Sequence, residues 1–382
     1  MPRTEFLTGN QAMAEAAIAA GLKVFVGYPI TPASDLFEYL SDKLPRHGGI
    51  VFQAEDEIAA INAIIGAVYS GAKAMTATSG PGFSLMAESI GFAAMVEAPI
   101  VIINNMRSGP STGIATGTGQ GDIMQTRWSS HGHYGVVAFA PWSVQEAYDM
   151  VIKAFDTAWR IRVPVVVLGD AVIAHTREPV EIHEPGEVKV YERKKPREPP
   201  GRFKPFKPDE DDLVPPMAFY GEGYAVLAES LSHDERGYYS TRQEVYESLV
   251  KRLVEKIERS RDRIISSKTY YTSDSNILLV AFGTLARSAL ALVRILRKSG
   301  VKIGMWRPQS IWPLDERGLV EAAEDAEKIV VMEMNLGQLY LEVSRILGEK
   351  GKKVELVPVV SPQLPSPEEL LSYIYRAGVK IG

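Results

Sequence analysis

The sequence predicts an α/β protein with two parallel sheets, and three observations carry that expectation. From residue 9 to about 170, short apolar runs alternate with helical patterns, the arrangement that builds a parallel sheet covered by helices. A second, shorter alternation runs from 276 to 376. Between them, residues 192–216 hold seven prolines among Lys, Arg, Asp and Glu, a composition that forms no regular core element.

In the first unit, strands are expected at 23–27, 74–78, 100–105, 136–140 and 163–168. Each is almost continuously apolar, as strands covered on both faces are. Helices are expected at 10–20, 33–44, 58–69, 83–96 and 144–160. The proline-rich stretch reads as a linker or a long surface arm. After it, 241–265 reads as one charged helix with Val245, Leu249, Leu253 and Ile257 at four-residue spacing, a stripe that needs a surface to lie against. The last unit has strands at 276–282, 302–306, 328–334 and 354–359, and helices at 285–298, 316–326, 338–348 and 367–376. The expected domains are therefore 1–185, an arm with its helix at 186–272, and a smaller α/β domain at 273–382.

Composition removes several function classes. A formal net charge of -5 provides no basic field for nucleic acid or anionic lipid. No run of about 18 apolar residues and no apolar leader is evident, so a cytoplasmic protein is expected. There are 0 cysteines, so disulfides, thiolate nucleophiles and cysteine-held iron–sulfur clusters are absent from this chain. The 6 histidines show no ligand spacing, and no metal site is expected here.

Four stretches remain as candidates for chemistry. In the first, strand 23–27 runs into Tyr28-Pro29-Ile30-Thr31-Pro32. Thr31 reads as an N-cap with Pro32 as the first helical residue. Such a turn either simply starts a helix or offers N–H groups and a hydroxyl to an anion. The second is Glu55-Asp56-Glu57 before an apolar helix. The helix dipole accounts for two of these acids. Glu57, however, shares a face with Ala60, Ile61, Ile64, Ile65 and Val68, where burial would raise its pKa.

The third is Thr78-Ser79-Gly80-Pro81-Gly82, whose glycines allow either close approach of a ligand or an ordinary tight turn. The fourth is the Gly-, Ser- and Thr-rich loop 104–122, in which Arg107 could clamp a carboxylate, cap the loop or meet Asp122. Neither a G-x-G-x-x-G fingerprint nor a G-x-S-x-G elbow is present, so nicotinamide binding and serine nucleophilic catalysis lack support.

In this order, Gly9-Asn-Gln-Ala, Tyr28-Pro-Ile-Thr-Pro, Glu57 before its helix, Thr78-Ser-Gly-Pro-Gly and Asn105-Met-Arg107 resemble the alpha subunit of 2-oxoacid:ferredoxin oxidoreductases. The resemblance continues in Leu278-Leu-Val-Ala-Phe-Gly-Thr, Arg307-Pro and Glu333-Met-Asn-Leu-Gly-Gln, and it leaves out about 190–240. The Tyr-Pro-Ile-Thr-Pro-Ala-Ser-Asp form is more similar to the 2-oxoglutarate-using members (2-oxoglutarate synthases).

The resemblance implies a pyrimidine-binding thiamine diphosphate domain followed by a transketolase C-terminal-like domain. A beta subunit would supply the diphosphate-binding domain, Mg2+ and a [4Fe-4S] cluster, and the assembly would be a dimer of heterodimers. Glu57 would hydrogen-bond the aminopyrimidine ring of the cofactor, with Tyr28, Pro29, Ser79 and Gly80 around it. Thr31 and Arg107 would hold the carboxylate of the 2-oxoacid. Coenzyme A would take the acyl group and ferredoxin the electrons. The competing readings are the same chemistry on pyruvate or branched-chain 2-oxoacids, a transketolase-like or lipoamide-linked dehydrogenase component, and a non-catalytic subunit of the same fold.

Overall fold

The computed structural model of the chain describes residues 3–381. Strands β1 (Arg3–Thr8), β2 (Val24–Gly27), β3 (Ile50–Gln53), β4 (Ala74–Thr78), β5 (Val101–Met106), β6 (Val137–Phe139), β7 (Val165–Asp170) and β8 (Arg177–Ile182) precede the proline-rich stretch. Strands β9 (Ser267–Tyr270), β10 (Ile277–Val280), β11 (Ile303–Pro308), β12 (Ser310–Trp312), β13 (Lys328–Glu333) and β14 (Val354–Pro358) follow it.

The large sheet has the order β12-β6-β7-β5-β4-β2-β3, and the second sheet has the order β14-β13-β10-β11-β9. Within the large sheet β2 to β7 pair in parallel. In the second, β10, β11, β13 and β14 do the same. Both parallel sheets expected from the alternation are therefore present, and their inner strands β4, β5, β7 and β10 are buried along their whole length.

The strands that the pattern missed are β1, β3, β8, β9 and β12. They are edge or antiparallel pieces, and β3 is mostly exposed, so they lack the continuous apolar run of a covered strand. Two of them cross the expected boundaries. Strand β12 pairs antiparallel with β6 of the large sheet, and β9 pairs antiparallel with β11 of the second.

Three helices also differ from expectation. The span expected as 83–96 is two helices, Gly80–Leu85 and Ala87–Met95, the first starting early because Pro81 fits a first turn whose N–H groups have no partners. The charged helix stops at Arg259, where Ser260 turns back to Ile257, and a short helical turn Arg261–Ile264 follows. The helix expected to reach 326 ends at Ala322.

The proline-rich stretch is a surface arm fastened to the chain's own first domain, burying Phe206, Val214, Met217 and Ala218. Its anchors are Tyr69, which accepts from the Tyr220 N–H, and Arg162, whose guanidinium donates to the carbonyls of Pro205, Pro215 and Pro216. Tyr69 ends a helix that leads to β4, and Arg162 ends the helix that leads to β7. The arm therefore covers the edge of the large sheet where strands begin.

The charged helix finds its surface at the same edge. Leu249, Leu253 and Ile257 are buried as the stripe requires. On that face Arg252 and Lys256 reach Glu97, a fully buried carboxylate, with Nη2–Oε1 2.7 Å and Nζ–Oε2 2.7 Å. Burial pushes the Glu97 carboxyl up, but Arg252, Lys256 and Arg162 together outweigh that and hold it well below the usual carboxylate range.

Candidate functional site

The opposite edge of the large sheet, where β2, β4 and β5 end side by side, collects the candidate residues. In an open parallel sheet ligands bind outside the carboxyl ends of the strands. Tyr28 and Pro29 follow β2 and are exposed, Ser79 and Gly80 follow β4, and Arg107 follows β5. Three loops thus bring together residues separated by about eighty positions.

Glu57 enters this edge from the start of helix Glu57–Tyr69. The three acids divide as their positions dictate. Asp56 is the N-cap and accepts the Ala59 N–H at 2.8 Å, Glu55 is exposed, and Glu57 is only 4 % exposed. Ala60, Ile61, Ile64, Ile65 and Val68 are buried on its face, as the helical spacing requires. Burial raises the Glu57 pKa above 4.5, Asp56 adds to the rise, and Arg107 partly opposes it. Among the described residues Glu57 forms no ion pair, and the charges that act on it are those of Asp56 and Arg107.

Gly82 makes the seat for this carboxyl. A methyl group at Gly82 would overlap Glu57 Oε1 and Thr78 Oγ1, so the side chain lies where any larger residue would stand. The Ser-Gly-Pro-Gly turn is therefore a place of close approach, with Glu57 as the group approached. Gly82→Ala is expected to displace the Glu57 carboxyl, because the end of a glutamate moves more easily than backbone. The expected result is a loss of activity of at least about tenfold with a smaller loss of thermal stability, about 1–3 kcal/mol. Equal activity in wild type and Gly82→Ala would show that the seat is not needed.

Thr31 does not cap the next helix. That helix is Ser34–Lys43, its N-cap residue is Ala33, and no side chain caps it. The reason is the inward turn of the preceding carbonyls. The Thr31 carbonyl accepts Arg107 Nη1 at 2.7 Å, the Pro32 carbonyl accepts Asn10 Nδ2 at 2.8 Å, and Ile30 accepts the Ala33 N–H. Arg107 is thus brought to Thr31 by a backbone bond, 7 % exposed, with its Nε left without a partner.

Asp122 does not pair with Arg107 by a hydrogen bond. Its carboxylate accepts Asn104 Nδ2 at 3.0 Å and lies 3.2 Å from where a Gly80 Cβ would be. Burial raises its pKa, against the opposing effects of Asn104 and Arg107. Ser79 is fully buried, and its Oγ has no partner. A cavity of about 660 Å³ opens beside Arg107, Ser108, Asp122 and Gln125 and is lined also by Asn335 and Val360. That is a volume in the range of small-molecule sites.

Sequence comparison gives this arrangement a class. The family model described as pyruvate flavodoxin/ferredoxin oxidoreductase, thiamine diphosphate-binding, matches residues 15–252. A second, pyruvate:ferredoxin oxidoreductase core domain II, matches 275–370. The chain belongs to this family of oxidoreductases, and its first domain is the thiamine-diphosphate-binding one.

Among its relatives, 2-oxoglutarate synthase subunit KorA of Methanothermobacter marburgensis is 46% identical over 375 residues, covering 98% of this chain and 99% of that one. Ketoisovalerate oxidoreductase subunit VorB of Methanothermobacter thermautotrophicus is 33% identical over 360 residues, covering 93% and 92%. The structure of 2-oxoglutarate:ferredoxin oxidoreductase from Magnetococcus marinus superposes with a TM-score of 0.89 at 27% identity, over 98% of this chain. This chain spans 65% of the length of the chain in that structure. A split-gene transketolase superposes with a TM-score of 0.54 at 15% identity, a likeness of fold alone.

The site fits the cofactor named for its domain. Glu57 is buried and, among the described residues, has no counter-ion; Ser79 Oγ and Arg107 Nε are buried and have no partner among them; and Gly82 leaves room at the carboxyl.

Proposed function

We propose that this chain is the pyrimidine-binding subunit of a 2-oxoglutarate:ferredoxin oxidoreductase, which converts 2-oxoglutarate and coenzyme A to succinyl-CoA and CO2 while reducing ferredoxin. The observation that carries the proposal is Glu57, a buried carboxyl with a raised pKa at the carboxyl edge of a thiamine-binding domain. The choice of 2-oxoglutarate is supported by the 46% identity to a 2-oxoglutarate synthase subunit, against 33% to a ketoisovalerate enzyme.

Thiamine diphosphate, when bound, supplies the carbanion chemistry of decarboxylation. This chain's residues prepare the site. Glu57 holds or releases a proton at the aminopyrimidine ring, and its raised pKa brings it closer to working pH. Ser79, Gly80, Tyr28 and Pro29 would hold the ring. Arg107 and Thr31 orient the substrate's carboxylate, the guanidinium through charge-assisted donors. With 0 cysteines in this chain, the [4Fe-4S] cluster belongs to a beta subunit, together with Mg2+ and the diphosphate-binding domain. The working assembly is a dimer of such heterodimers in the cytoplasm.

The test is to purify this chain with its partner and measure reduction of ferredoxin with 2-oxoglutarate, pyruvate and 2-oxoisovalerate. A preference for 2-oxoglutarate in kcat/KM is expected, and a preference for either of the others would overturn the substrate assignment. Arg107→Ala is expected to raise the KM for the 2-oxoacid about 10- to 100-fold, from the loss of a hydrogen bond to a charged group, worth about 1.5–3 kcal/mol. Arg107→Lys should recover little of this, because an ammonium lacks the planar fork. An unchanged KM in Arg107→Ala would remove Arg107 from substrate binding.

A further inference from the structure

The loop that begins at Arg107 is tied at its far end to the second domain. Gln120 is fully buried. Its N–H donates to the Met334 carbonyl at 3.1 Å, and its carbonyl accepts Asn335 Nδ2 at 2.7 Å. Its side chain accepts the Met334 N–H at 3.0 Å and donates to the Phe282 carbonyl at 2.8 Å. Gly283 (φ 55°) permits this approach, since a Cβ there would lie 2.8 Å from Gln120 Nε2. On either side, the Thr118 N–H donates to the Pro362 carbonyl, and Gln338 accepts from Met124 N–H and donates to the Gly121 carbonyl.

The clamped stretch in turn holds Arg107. The Ser108 N–H donates to the Gly117 carbonyl at 3.0 Å, and Ser108 Oγ donates to the Thr118 carbonyl at 2.6 Å. Met334 and Phe282 lie just beyond the carboxyl ends of β13 and β10, which are neighbours in the second sheet. The carboxyl edges of the two parallel sheets therefore meet on a single loop. Hydrogen bonds pass from the second domain through residues 117–121 to Ser108, next to Arg107, which is bonded to Thr31.

We propose that the second domain is the device that sets the position of Arg107, with Gln120 as its positioning residue, so that 2-oxoacid affinity depends on the contact between domains. The proposal rests on the reading of Arg107 as the carboxylate-binding group. A buried amide with both ends bonded to backbone fixes a loop more rigidly than apolar packing does, because slippage leaves donors and acceptors unpaired.

The experiment compares wild type, Gln120→Met, Asn335→Ala and Gln338→Ala, each purified in complex with the partner subunit. It measures the 2-oxoacid KM and kcat, thiamine diphosphate affinity, and amide hydrogen exchange across 107–122. Gln120→Met removes both side-chain bonds at similar volume, while Asn335→Ala removes the bond to the Gln120 carbonyl and Gln338→Ala removes those to Met124 and Gly121, each from a less buried position, and these two serve if Gln120→Met does not fold. The expected result is faster exchange across 107–122 and a KM raised about tenfold in Gln120→Met and a few-fold in the others, at about 1.4 kcal/mol per tenfold. The kcat should stay within about twofold and cofactor affinity should be unchanged, since Glu57 is not touched.

Unchanged exchange in all three variants would overturn the clamp. Faster exchange with an unchanged KM would overturn its link to substrate. If Arg107→Ala itself leaves KM unaltered, the carboxylate reading fails on its own, and the exchange data still decide whether the loop is clamped.

Discussion

Glu57→Gln is expected to lower 2-oxoacid-dependent ferredoxin reduction by about 10²- to 10⁴-fold, the range for loss of a positioned acid–base group. Glutamine keeps the shape and fills the space beside Gly82 and Thr78 that the carboxyl occupies, so the loss would be chemical rather than steric. A carboxyl can exchange a proton with a ring nitrogen, and an amide cannot. The folded chain should hardly suffer.

Burial raises the Glu57 pKa above 4.5, so the folded protein keeps this proton to a higher pH than the unfolded chain does. Ionisation then costs stability, and the cost appears as pH rises past the unfolded value. Thermal melts of this chain alone should accordingly show Glu57→Gln gaining on wild type as pH rises above the unfolded value and losing that advantage below it. Full activity in the variant would end the assignment. A melt difference that does not depend on pH would show that the carboxyl ionises as freely in the folded chain as in the unfolded one.

Glu97→Ala is expected to destabilise the chain by about 3–5 kcal/mol, because it leaves Arg252 and Lys256 buried without their counter-charge. Urea titration of the full chain would read this directly, and a loss below about 1 kcal/mol would show that the cluster is held by other means. Glu97→Gln separates charge from shape. Since the Glu97 pKa is held below 4.5 in the fold, its contribution is fully present above that value and is lost as pH falls below it. Wild type should therefore lose stability in acid faster than Glu97→Gln does. Catalysis should respond weakly, because Glu97 lies just before β5, at the opposite edge of the sheet from Arg107.

These two glutamates show where reading the chain residue by residue succeeds and where it stops. Glu57 stood out because three acids preceded an apolar helix and only one shared its buried face, a relation within a single helix that spacing alone expresses. Glu97 gave no such signal. Its partners Arg252 and Lys256 are about 155 positions away, on the face of a charged helix where cations would ordinarily face water.

The parallel strands, their helices and the proline-rich arm were legible for the same reason as Glu57. Burial on both faces leaves a continuous apolar run, and proline leaves a gap in the pattern. The small edge strands were not, because β12 and β9 are defined by partners in other parts of the chain. Thr31 failed as a helix cap because Arg107 and Asn10 draw in the carbonyls of Thr31 and Pro32, a contact between two loops and the start of the helix Gly9–Ala19 that no local preference contains.

The sequence by itself determined the fold class, the exclusion of a cysteine-held cluster and the candidacy of Glu57. Periodicity, composition and helical facing are properties of neighbouring residues. Only the tertiary structure decided that Gly82 makes room for that glutamate, that the arm covers the edge away from the site, and that Gln120 ties the Arg107 loop to a second sheet. Each of these is a distance between segments far apart in the chain, set by how the two sheets pack.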